Sequence, residues 1–84
     1  MPTISYFYGI IITMYQKGKE HNPPHIHAFY QDNCAAFSIE GAKLLEGKMP
    51  KRAISLIKRF IRDNKGELLK MWETGVFKRL RGVE

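Results

Sequence analysis

His21-Asn22-Pro23-Pro24-His25-Ile26-His27-Ala28-Phe29-Tyr30-Gln31-Asp32-Asn33-Cys34-Ala35-Ala36-Phe37-Ser38-Ile39-Glu40 is the run on which the architecture turns. Neither proline can donate to a β-ladder, and Pro23 disfavours helix at Asn22, so the run opens as an ordered loop. His25 to Gln31 then alternates in polarity, Asp32-Asn33 forms a turn pair, and Cys34 to Ile39 alternates again. Two period-2 segments joined by a turn predict an antiparallel hairpin.

Toward the N-terminus, Ile4 to Tyr8 and Ile10 to Gln16 are rich in β-branched and aromatic residues, which suit a pleated, half-buried surface. Gly9 between them signals a bend or bulge, giving two strands or one kinked long strand. Lys17-Gly18-Lys19 breaks the pattern ahead of the Pro-Pro loop. Toward the C-terminus a last short strand includes Lys43 to Leu45, and Pro50 then marks a helix start, because its missing N–H is no loss in a first turn. That helix runs to Asp63 with Ala53, Ile54, Ile57, Phe60 and Ile61 on one apolar face. Asn64 with Glu67 resembles a capping pair for a second helix that carries Leu68, Leu69 and Trp72 into the core and stops at Gly75.

The expectation is an α+β fold in which a small antiparallel sheet of about four to five strands packs against two C-terminal helices. No repeat, low-complexity stretch or linker divides the 84 residues, so they are read as one domain: a sheet half over about 3–47, a helical half over about 50–75 and a basic tail over 76–84. A domain of this length hides only about two-thirds of the surface its unfolded chain exposes, so it folds around one core, alone or as a small homo-oligomer. The apolar content of 44% suffices for that core and argues against a disordered segment. Cys34 is the only cysteine, which rules out an internal disulfide and fits a reducing cytoplasm. The run from Ile4 to Met14 follows no basic segment, is broken by Ser5, Gly9 and Thr13, and falls short of the roughly 20 apolar residues of a membrane span. It is sheet, neither a membrane anchor nor a targeting segment.

All three histidines, His21, His25 and His27, fall within seven positions. Strand alternation turns His25, His27 and Phe29 to one face and Ile26, Ala28 and Tyr30 to the other, with the Cα atoms of His25 and His27 about 6 to 7 Å apart. His21 can fold back toward them. Three chemistries stay open. Neutral imidazoles can converge on a divalent metal such as zinc and leave one coordination position for water. Alternatively two imidazoles can act as general base and acid in metal-free RNA cleavage, with Arg52 or Arg59 gripping the phosphate. In the third reading the rings only hydrogen-bond backbone groups and fix the Pro-Pro turn.

The net charge of +6 is unevenly spread: residues 1–47 hold three basic and four acidic groups, residues 48–84 eleven basic and four acidic. Such a field attracts RNA, DNA or an acidic protein, and equally keeps a small domain soluble. On the first helix Arg52, Ser55, Arg59 and Arg62 fall at spacings of three, four and three, opposite the apolar face. Guanidinium groups can grip phosphate bidentately. Lys78, Arg79 and Arg81 surround Phe77 and Leu80 in the tail, which either lies along a nucleic-acid backbone or packs Phe77, Leu80 and Val83 onto the sheet or a partner chain.

The opening Met1-Pro2-Thr3-Ile4-Ser5, the strand Gly9-Ile10-Ile11-Ile12, the segment His21 to Ala28, Leu45-Glu46-Gly47-Lys48-Met49-Pro50, and Glu67-Leu68-Leu69 with Trp72 together resemble a bacterial family, domain of unknown function 4160. The resemblance covers about residues 1–73, and its most specific part is the histidine segment. It implies His21, Pro23, Pro24, His25 and His27 as characteristic residues, with no catalytic role attached to any of them. It also implies a small partner protein encoded nearby, in an arrangement like a toxin–antitoxin pair. Phe60 departs from the family, where tryptophan is frequent, as does the basic end after Gly75. The expected function is that of one component of such a module, binding or cleaving RNA at a histidine-centred site. The alternative is a non-enzymatic metal-binding or docking module for an acidic partner.

Overall fold

The computed structural model describes residues 2–14 and 23–83. Five strands form one antiparallel meander in the order β1 (Thr3–Phe7), β2 (Ile10–Thr13), β3 (His25–Tyr30), β4 (Asn33–Ser38) and β5 (Leu44–Gly47). Two helices follow, α1 (Lys51–Asp63) and α2 (Lys65–Thr74). The α+β reading therefore holds, with five strands and both helices C-terminal.

Alternation along the strands sorts the sheet into two faces. Ile10 and Ile12 of β2, Ile26 and Ala28 of β3, and Ala35 and Phe37 of β4 are buried, and Ala53, Ile57, Phe60 and Ile61 of α1 with Leu68, Met71 and Trp72 of α2 close over them. On the other face Tyr6, Ile11 and Cys34 stay exposed and Phe29 is half-buried. A register shift between Thr3 and Ser5 lets consecutive Ile4 and Ser5 both be buried, as a bulge permits.

Of the two alternatives for the N-terminal segment, the hairpin is realised. Phe7 pairs with Ile10 across a two-residue turn in which Tyr8 (φ 49°) and Gly9 (φ 81°) are both left-handed, as a type I′ turn requires. The second hairpin turn sits one residue earlier than Asp32-Asn33: Gln31 and Asp32 make it, Gln31 at φ 54°, and Asn33 opens β4 opposite Tyr30. Register against β3 set that position, outweighing the turn preference of Asn33. β5 extends past the expected Lys43 to Leu45, ending at Gly47. There φ is 82°, and a Cβ would run into the Cys34 carbonyl oxygen, so only glycine fits.

Asn64 does precede α2, but its side chain caps nothing in that helix. Its Nδ2 instead donates to the Phe60 carbonyl at 2.9 Å, closing the end of α1. Glu67, the expected reciprocal partner, accepts from Lys78 Nζ at 2.8 Å. Gly75 ends α2 in the left-handed conformation at φ 74°, its N–H bonded to the Met71 carbonyl. The apolar side chains of the basic tail pack onto the domain, as one of the two expectations had it. Phe77, Leu80 and Val83 lie against the core, the Leu80 N–H donates to the Ile4 carbonyl at 2.7 Å, and Ser5 Oγ donates to the Leu80 carbonyl at 2.9 Å. No helix among the described residues is long and apolar enough to cross a membrane.

Candidate functional site

The meander has two ends. At one lie both hairpin turns, Tyr8-Gly9 and Gln31-Asp32; at the other lie the start of β3 and the end of β2, where Thr13 pairs with His27. The histidines belong to the second end. His21, the third member of the expected cluster, lies outside the described residues.

His25 and His27 do come together, with ring centroids 5.1 Å apart and planes at 74°. Position i, i+2 on one strand puts both rings on one side, and the fold holds His25 from three directions. Its Nδ1 lies 2.9 Å from the Pro23 carbonyl oxygen. A carbonyl can only accept, so Nδ1 carries the proton, and a neutral ring keeps its lone pair on Nε2. Trp72 of α2 packs on the same ring at 5.2 Å. The Pro24 carbonyl accepts from the Ile39 N–H at 3.0 Å, tying the Pro-Pro turn to the end of β4. His25 is consequently 5% exposed, whereas His27 is half-buried.

A fixed tautomer with a defined lone pair suits a metal ligand or a base, and the same contacts anchor the turn. Among the described residues no three of His, Cys, Asp and Glu gather in a metal-binding arrangement. Cys34 and Glu40 lie exposed on the surface. A three-ligand metal centre at this pair would therefore need a donor from outside the described residues, such as His21.

Arg52 is set apart from the histidines. Arg52, Ser55, Arg59 and Arg62 are all exposed along α1, opposite its buried face. Arg59 reaches Asp63 only at 4.0 Å, and both side chains are more than half exposed, so that pair is weak. Arg52 and Ser55 border a groove of about 860 Å³ at the turn end, together with Tyr8, Tyr30 and Gln31. Tyr30 and His25 are opposite ends of β3, about 17 Å apart at the rise of a strand. Arg52 is therefore not at hand to hold a phosphate at the histidine pair. In the tail Lys78 is engaged by Glu67, Arg79 is exposed, and Arg81 borders a smaller cleft with Asp63 and Asn64.

The groove escaped the reading of the sequence, because Tyr8 and Gln31 lie in different hairpins and Arg52 in a helix. The available signal was that two turn positions are filled by residues other than glycine or asparagine.

Comparison with known proteins gives one family. The model described as domain of unknown function (DUF4160) matches residues 9–73, from the first hairpin turn through Glu73 of α2. No curated protein matches, and no solved structure matches.

Proposed function

This chain belongs to the DUF4160 family, whose matched segment spans β2 to α2 and includes all three histidines and the arginines of α1, and from that premise we propose that it binds RNA through the exposed face of α1 as one component of a two-gene module. The observation that carries this reading is the guanidinium row. Arg52, Arg59 and Arg62 stand exposed on one helix, spread over about 15 Å at the α-helical rise, in a chain of net charge +6 whose positive charge is concentrated in its C-terminal half. Of the three, Arg59 has an acidic neighbour, and at 4.0 Å that neighbour does little to neutralise it.

Binding rather than cleavage is the form of this proposal, since Arg52 lies by one end of β3 and the histidine pair at the other. The pair then anchors the Pro-Pro turn. Equilibrium binding of a fluorescent single-stranded RNA, measured at rising salt, tests the proposal. About three phosphate contacts give a log–log slope near −2, which flattens in an Arg52→Ala/Arg59→Ala/Arg62→Ala variant. Affinity independent of salt, or unchanged in the triple variant, would overturn it. Denaturing gels of the same mixtures test the stronger form, in which His25 and His27 act as base and acid. Cleavage that disappears in a His25→Ala/His27→Ala variant supports it, and intact RNA removes it.

A second reading is supported by the sheet face away from the helices, which shows Tyr6 and Ile11 to solvent. A partner protein covering that face would form a complex stable at high salt, because apolar burial is not screened.

A further inference from the structure

We infer that the groove at the turn end of the sheet seats one unpaired nucleobase of an RNA strand, stacked on Tyr8, with the adjacent phosphate on Arg52. This rests on the RNA-binding reading and specifies its substrate as single-stranded. The argument begins with backbone strain. Among the described residues, three other than glycine have positive φ: Tyr8, Gln31 and Ala42. Ala42 is buried, so core packing accounts for it. Tyr8 is 62% exposed and Gln31 is exposed, and both border the same groove, one from each hairpin turn.

Asparagine or glycine would fill either position with less strain, and neither side chain contributes to the core. Strain kept at two exposed positions that converge on one concavity points to a use for the side chains themselves.

The chemistry of the walls selects the ligand. Tyr30 is half-buried, held in register by Ile10, and gives a fixed aromatic wall beside the exposed Tyr8. Ile10 and Leu56 supply an apolar floor. Flat π-faces and an apolar floor accept any base by stacking. The Gln31 amide can both donate and accept, as the edge of a base requires. Arg52 stands at the rim, where a flanking phosphate would lie, and none of the lining residues is acidic. At about 860 Å³ the groove falls within the roughly 300–1,000 Å³ of small-molecule sites.

The deciding variant is Tyr8→Asn, because asparagine tolerates the left-handed conformation and lacks the ring. Its affinity for single-stranded RNA is expected to fall about tenfold, while its melting temperature holds or rises and its affinity for a duplex of the same sequence is unchanged. Tyr8→Phe should keep most of the single-strand affinity. Unchanged single-strand affinity in Tyr8→Asn, or equal loss for single strand and duplex, would overturn the base seat and leave the arginine row untouched. Failure of the unaltered chain to bind RNA at all would remove the underlying reading instead.

Discussion

His25 carries two kinds of contact whose loss is measurable. Its Nδ1–H satisfies the Pro23 carbonyl, and its ring fills space against Trp72 and His27. Replacing it with alanine leaves that acceptor without its donor and opens a gap beside the tryptophan, so His25→Ala is expected to destabilise the fold by about 2 kcal/mol. Urea denaturation followed by the emission of Trp72, the single tryptophan, would measure this. A variant as stable as the parent would show that the ring does not hold the turn. The histidine cluster was plain in the sequence, as was the pairing of His25 with His27 by strand alternation. The neighbours that fix His25 were not, because Trp72 is forty-seven positions away and nothing local indicates which face of α2 meets the start of β3.

Elements behave as their periodicity says wherever a core face is at stake. The apolar spacing of α1 fixed its buried side, leaving Arg52, Arg59 and Arg62 in solvent. Where polar side chains choose among partners, local pattern misleads. Asn64 and Glu67 have the spacing of a cap, yet Asn64 serves the helix before it and Glu67 serves the tail after it. The Glu67–Lys78 contact has a consequence for pH. The Lys78 hydrogen bond, reinforced by its charge, holds the Glu67 carboxyl below its ordinary value of about 4.5. A carboxyl depressed on folding contributes stability that is present above its unfolded value and lost as pH falls through the folded one. Lys78→Ala is therefore expected to raise the Glu67 midpoint toward 4.5, read by NMR titration of its side-chain carboxyl. An unmoved midpoint would show that the ammonium group does not reach it in solution.

For the molecule as a whole, the tail joins the two halves that composition separates. Leu80 bonds to β1 through Ile4 and Ser5, while Lys78 N–H points to the sulfur of Met71 in α2. Sheet and helices also share one continuous core. Unfolding is accordingly expected as a single transition, with Trp72 fluorescence and far-ultraviolet circular dichroism giving coincident curves. Separated midpoints would show that the sheet half unfolds independently of the helices. The amino-acid sequence by itself determined the order of strands and helices, the buried faces and the asymmetric charge, because periodicity and turn chemistry act over a few neighbouring residues. Only the tertiary structure decided that both hairpin turns share one end with Arg52, that the histidine pair occupies the other, and that the basic tail packs. Those outcomes depend on strand register and on contacts between residues distant along the chain, which local sequence does not encode.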